Sequence, residues 1–218
     1  MKPFKLLIIS VLYCNILASQ NINDLTITIQ PLLNSQNLIL EKENTESTII
    51  NKFKFYLTNF SFTKNDELIW KEKDSYHLID VSNPSTLNLK FEMPPDIEFD
   101  QIHFSLGTDS LINISGVMGG DLDPTKGMYW AWNSGYINFK LEGKSKNIPF
   151  EFHLGGYSPS TVQQVKLKID KQKNTIIYFD IANFLNQIDL EKEHKLMSPG
   201  KEAQRLSKIA GSLFYLNE

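Results

Sequence analysis

Apolar and polar positions alternate along most of the chain. Leu25, Ile27 and Ile29 are separated by Thr26 and Thr28, and Phe53, Phe55 and Leu57 stand in turn with Lys52, Lys54 and Tyr56. A period of two is the mark of half-buried strands. After Leu57 the apolar set moves to Phe60 and Phe62, a phase change that predicts a bulge or a strand crossing between sheets. Lys64-Asn65-Asp66-Glu67 reads as a turn into Leu68-Ile69-Trp70, and further strands are expected near 76–81, 87–91, 102–106, 136–141 and 150–154. Two more, near 165–169 and 176–181, flank the polar turn Lys171-Gln172-Lys173-Asn174. About eight to ten short strands with polar turns predict a mainly β chain, an antiparallel β-sandwich. The tail changes period. With Ser198 as cap and Pro199 at the first helical position, Leu206, Ile209, Ala210 and Leu213 line one face of a C-terminal α-helix. A short helical turn is expected near Ala182.

Ahead of the strands, Lys2 and Lys5 precede the apolar run from Leu6 to Ala18. That run matches a signal-peptide core and is short for a bilayer span. The expectation is a leader over residues 1–19, cleaved after Ala18 or Ser19, with a β domain over residues 20–218 that is periplasmic or secreted. Cys14, the only cysteine, leaves with the leader; bulky Tyr13 before it argues against lipidation. The exported chain then has no thiol, no disulfide and no membrane anchor. With 41% hydrophobic residues it can bury an ordinary core. A net charge of −3 with the signs interspersed gives no basic face, so nucleic acid is not an expected partner.

The densest stretch of chemistry is Met128-Tyr129-Trp130-Ala131-Trp132-Asn133-Ser134-Gly135-Tyr136, four large aromatics among small residues. Tryptophan and tyrosine combine a large apolar body with a polar tip, so such a cluster sits at a lined corner or site. The stretch resembles the Met-x-Trp-x-Trp-x-x-Gly-Tyr signature of the MbnP-like proteins, secreted copper-binding proteins associated with a methanobactin operon. Other segments resemble that family in the family's order: residues 53–60 its early strand, Leu78-Ile79-Asp80 its Leu-Leu-Asp segment, 104–109 its Phe-x-Leu-Gly-Val turn and Phe152-His153-Leu154-Gly155-Gly156 its His-x-Gly strand end.

The resemblance implies copper as the bound ion and His153 as its first ligand; His77 is the next candidate because burial in an otherwise apolar strand would leave a ring nitrogen needing a partner. Two imidazoles would suit Cu(I) in a low-coordinate site. It also implies a di-haem peroxidase partner that oxidises a tryptophan at the site; Trp130 and Trp132 are the candidates for lining it, and Trp70 is a third for oxidation. Relatives can carry an Asn-His pair in the loop before the signature, where this chain has Asn113-Ile114.

Read from the strands alone, His153 lies on the face opposite Phe150, Phe152 and Leu154, beside Glu151, with its ring open to ligand or solvent. His77 shares a phase with Ile79 and Val81 and reads as a core histidine. His103 reads as structural, and His194, among Glu191, Lys192, Glu193 and Lys195, as solvated. Asp109, Asp121, Asp123 and Glu142 raise the question of calcium or a hydrolytic carboxylate pair, but Asp121 and Asp123 alternate in Gly119–Gly127 without the spacing of a calcium loop, and hydrolase and phosphate-loop motifs are missing. The expectation is a copper-binding protein that is not an enzyme. Two alternatives stand beside it: a secreted interaction or structural sandwich that has lost its metal ligands, and a carbohydrate-binding module. Convergence of His77 and His153 favours the first reading, their separation the second, and a planar exposed Trp130–Trp132 patch the third.

Overall fold

The computed structural model describes residues 23–44, 46–95, 97–133, 135–156, 158–169 and 175–216. The expected leader, with Cys14, and the turn Lys171–Asn174 lie outside them. In chain order the strands are β1 (Asn23–Leu33), β2 (Gln36–Asn37), β3 (Thr48–Lys64), β4 (Glu67–Lys71), β5 (Tyr76–Asp80), β6 (Asn88–Met93), β7 (Gln101–Leu106), β8 (Tyr129–Trp130), β9 (Gly135–Ser145), β10 (Ile148–Gly155), β11 (Gln163–Lys168), β12 (Thr175–Asp180), β13 (Lys195–Leu196) and β14 (Phe214–Leu216). The helices are α1 (Ser110–Ser115), α2 (Ile181–Leu185) and α3 (Lys201–Gly211).

Two sheets face one another, as a sandwich requires. One runs β14-β12-β1-β2 with β6 also on β1; the other runs β11-β7-β3-β9-β10-β13. Strand β3 organises the second sheet. One of its edges takes β9 and then β7, while β5 and β4 pair along the other. The switch from β9 to β7 falls where the apolar phase changes: Asn59 adopts φ +57, and the register with β7 slips between Thr58 and Ser61. This is the predicted bulge, and it keeps Phe53, Phe55 and Leu57 on the same inner face as Phe60 and Phe62. The next turn is a tight one, with Asn65 and Asp66 at φ 50 and 66, as two-residue hairpins demand.

Between the sheets lies an aromatic core. Phe53 meets Phe179 at 5.5 Å, Phe60 meets Phe91 at 5.0 Å and Phe55 meets Phe214 at 5.9 Å, each pair joining the two sheets. Helix α3 closes one side through Ala203, Leu206 and Ala210, all buried, with Ile209 and Leu213 packed at the margin.

The architecture departs from the expected antiparallel sandwich in two pairings: β1 with β12 and β10 with β13 run parallel. Side-chain period does not encode strand direction, so these were not readable. The helix also begins later than Pro199. That ring instead packs on Gly156, where an added Cβ would lie 2.8 Å from Pro199 Cβ, and Gly200 caps the helix at φ +141.

Candidate functional site

The outward face of the β3 sheet is not left to solvent. Tyr56 on β3, Leu78 on β5 and Tyr136 on β9 stand on its outer side. The connection from Leu106 to Gly135 folds back over them, forming a second apolar cluster with Ile112, Leu122, Met128, Trp130 and Ile137. Such satellite cores under long loops are a usual way to bury a second face.

Hydrogen bonds fix this cover. The Tyr56 hydroxyl donates to Asp121 O at 3.0 Å, and the Tyr136 hydroxyl donates to Leu122 O at 3.0 Å while accepting from Met118 N at 3.2 Å. Asp109 does two things: one oxygen accepts from Ile112 N, capping α1, and the other accepts from the Tyr76 hydroxyl at 2.7 Å. Burial raises the pKa of Tyr56, Tyr76 and Tyr136, so the three phenols stay protonated donors. Asp121 accepts from Leu78 N and pairs with Lys126; Asp123 caps the turn at Thr125 N. These two carboxylates are thus occupied in holding the loop.

Beneath α1 is a buried amide pair. Asn113 accepts from Tyr136 N at 2.8 Å and donates to Thr108 Oγ1 at 3.0 Å, while Asn138 accepts from Thr108 N at 2.9 Å. Gly107 precedes them at φ +107, and a Cβ there would lie 2.7 Å from Asn138 Cγ, so the position requires glycine.

Trp130 forms the inner wall of the cover. It is 4% exposed and lies on Gly155, where a Cβ would come within 3.0 Å of the indole ring. Its Nε1 finds no acceptor among the described residues. Trp132, two residues on, is 66% exposed, with its ring centroid 5.5 Å from that of Trp130 and the planes inclined by 42°. The short strand ends at Trp130 and the chain turns, which is why the two indoles differ in burial. They do not form the planar patch a sugar platform needs.

Below the cover runs a polar strip. His153 lies on the same face of β10 as Gly155 and pairs across to Lys140 on β9. The expected face is the observed one, but the ring is not open: it is 6% exposed. Its Nε2 lies 2.8 Å from Glu142 Oε1, and Lys52 Nζ is 3.0 Å from the other carboxylate oxygen. Lys140 reaches Glu142 at 3.6 Å and donates to Gly127 O at 3.1 Å, tying the cover to the strip. Burial lowers the pKa of His153 more than the Glu142 hydrogen bond raises it, so the ring favours the neutral form. Glu142 is held below the ordinary carboxylate value: burial opposes this, but the bonds from Lys52 and His153 outweigh it.

His77 is elsewhere. It pairs with Leu57 on the inner face, edge-on to Phe60 and Phe91 at 5.6 and 5.8 Å. Its Nε2 is 2.7 Å from Glu72 Oε2. The ladder from His153 through Lys140 and Lys54 to Asp80 crosses three strand spacings, about 14 Å in all. His77 lies three residues further along β5 and on the opposite face. The structure therefore does not bring the two histidines together as a joint pair of copper ligands, because strand parity turns one inward and the other outward. Among the described residues no group of three or more His, Cys, Asp or Glu is placed to hold a metal ion. His103 is bonded to Thr63 and Gln101, and His194 is exposed. Trp70 packs on Phe62 and Phe91. Ile114 is exposed on α1. Tyr56 was not anticipated as a site residue; Glu142 reads from the sequence only as a calcium or hydrolytic carboxylate, and Asn113 only as the counterpart of the Asn-His pair of relatives. The visible signal for Tyr56 was an aromatic residue in the outward phase of β3.

A β-sandwich with one outer face roofed by an aromatic loop, and a histidine–carboxylate pair at the foot of that roof, is the class of protein this geometry defines. The family model described as MbnP matches residues 22–198, and the chain belongs to the MbnP family. Its fold resembles the solved structure of MbnP from Methylosinus trichosporium with a TM-score of 0.53 and 10% identity, over 76% of this chain and 78% of that one. No curated protein sequence matches the chain.

Proposed function

We propose that this chain is an exported, non-enzymatic, copper-associated protein in which His153 is the metal ligand supplied by the polar strip. The observation that carries this is the His153–Glu142 pair, neutral imidazole against carboxylate, at the foot of the Trp130 shelf. Copper is taken as the ion from the resemblance to the MbnP-like proteins. The donor set is small. One imidazole and one carboxylate suit Cu(II) better than Cu(I), and the ammonium groups of Lys52 and Lys140 beside Glu142 oppose a cation. Capture or carriage with donors contributed from outside the chain fits this set better than closed storage. The di-haem peroxidase that the resemblance implies as partner would meet Trp132 at the surface, with Trp130 behind it.

A second reading is favoured by a specific observation: His77 and His153 stand on opposite faces, and Ile114 occupies the position where relatives can carry histidine. An interaction sandwich that has lost its copper ligands would look like this. Titration of the purified protein with Cu(II) and Cu(I) against competing chelators separates the two. One equivalent of bound copper, lost in His153→Ala, weakened in Glu142→Gln and unchanged in His77→Ala, supports the first. Absence of competition by the wild type overturns the first and favours the second.

A further inference from the structure

Five of the ten large apolar side chains left exposed among the described residues gather at one end of the sandwich. They are Leu111 and Ile114 on α1, Val117 and Met118 after it, and Trp132, between 42% and 76% exposed. The hydrogen bonds of Tyr136 hold this group together. Its backbone N–H is bonded to Asn113 and its hydroxyl accepts from Met118 N, so α1 and the chain after it lie across Tyr136, next to the turn that carries Trp132. Leu111 and Ile114 are three apart and share the helix face opposite buried Ile112 and Asn113.

We propose that this crown is a bilayer-contacting tip that enters the interfacial region of a lipid membrane reversibly. The inference is independent of copper binding. The eleven residues from Ser110 to Gly120 carry no charge. The carboxylates that bracket them are engaged within the chain: Asp109 is bonded to Tyr76 and Ile112, and Asp121 to Leu78 and, at the surface, to Lys126. The segment Ser110–Gly120 offers no charge to steer or register a protein partner, and a neutral low-dielectric phase requires none. The crown is open to its surroundings at its glycines, since a Cβ on Gly116, Gly119 or Gly120 would meet nothing within 4 Å. An uncharged, exposed apolar segment matches insertion between lipid headgroups, and Trp132, also exposed, is the side-chain type that settles at headgroup depth. Each large aliphatic carried out of water is worth about tenfold or more in partitioning. The tip should bind about as weakly as a single acyl chain, with an association constant on the order of 10⁴ M⁻¹.

The test uses protein recovered from the periplasm of an expressing bacterium, its N-terminus checked by mass spectrometry so that the apolar leader is not the binding segment. Vesicles of neutral phosphatidylcholine are titrated to 5 mM lipid, about fifty times the expected half-saturation. The expected result is cosedimentation insensitive to salt, with a blue shift of tryptophan emission that Trp132→Phe removes. The double variant Ile114→Ser, Val117→Ser should bind at least tenfold more weakly while keeping the wild-type circular dichroism. Three results overturn the proposal: no binding to neutral or anionic vesicles; binding to anionic vesicles alone that salt abolishes; or a micromolar dimer that the double variant dissolves, which would assign the crown to a second copy of the chain.

Discussion

Replacing Gly155 with alanine tests whether the Trp130 shelf is as closely fitted as it looks. The new Cβ would sit 2.4 Å from Tyr136 O and 3.0 Å from the Trp130 ring, where carbon–oxygen contacts run at about 3.3–3.6 Å. Relief needs roughly 1 Å of movement, and neither neighbour moves freely. Tyr136 is paired with Tyr129 in the sheet, and its N–H is bound by Asn113; Trp130 is enclosed by the loop cluster. Overpacking of this kind costs about 2–3 kcal/mol when the obstructing atom is backbone, which for a domain of this size lowers Tm by about 4–12 °C. Urea unfolding at constant m measures the loss. The tryptophan emission should also shift to the red as the indole is pushed toward water. Gly143→Ala is the control. Its Cβ would lie 2.3 Å from Ile49 O and 2.7 Å from the Phe150 ring, so it should destabilise comparably without moving the emission. A Gly155→Ala protein with wild-type Tm and emission would refute the fitted shelf and the geometry argued for the site.

Two further outcomes are expected. Asp180 is buried and accepts from Asn34 N, Ser35 N and Ala182 N, joining the β1–β2 turn to the start of α2; Asp180→Ala should cost about 3 kcal/mol, and a loss below 1 kcal/mol by urea unfolding would show that these bonds are replaced by water. His153 and His103 both have pKa values lowered from 6.5, chiefly by burial, so the unfolded chain binds protons first. Their contribution to stability is whole above pH 6.5 and is lost as pH falls below it. Metal-free protein should lose stability between pH 7 and 5, before the carboxylates titrate, and His153→Gln should flatten that slope; equal slopes in the two proteins would contradict the burial argument.

What was legible in the sequence follows from what local period can carry. The shift from Leu57 to Phe60 announced the bulge at Asn59, because a two-residue period cannot be broken without a backbone irregularity. The turn at Ala182 and the helix face of Leu206 and Ala210 were readable for the same reason. Strands β2, β8, β13 and β14 were not, since two or three residues have no period to show. The site divides along the same line. Parity placed His153 outward, but its partner Glu142 lies eleven residues away on the neighbouring strand, and only the β9–β10 register sets that diagonal contact. Parity likewise contained the separation of His77 from His153, hidden because β5 is apolar on both faces: Tyr76 and Leu78 face the roof and His77 and Ile79 the core.

The roof links the chemistry to the fold. Without it, Tyr56, Leu78 and Tyr136 would expose apolar rings and a leucine on an otherwise polar sheet face. With it, that face is buried at the cost of a long connection whose carbonyls and amides need partners, which the tyrosines, Asn113 and the paired aspartates supply. The roof ends where Lys54 and Lys140 donate to Lys126 O and Gly127 O, and those same lysines mark the start of the strip that holds Glu142 and His153. Any ligand drawn to His153 therefore meets a carboxylate already engaged by cations below and a fixed indole above. A cation bound there would compete with Lys140, which reaches Glu142 and also holds the roof at Gly127 O, so the strip and the roof share one anchor.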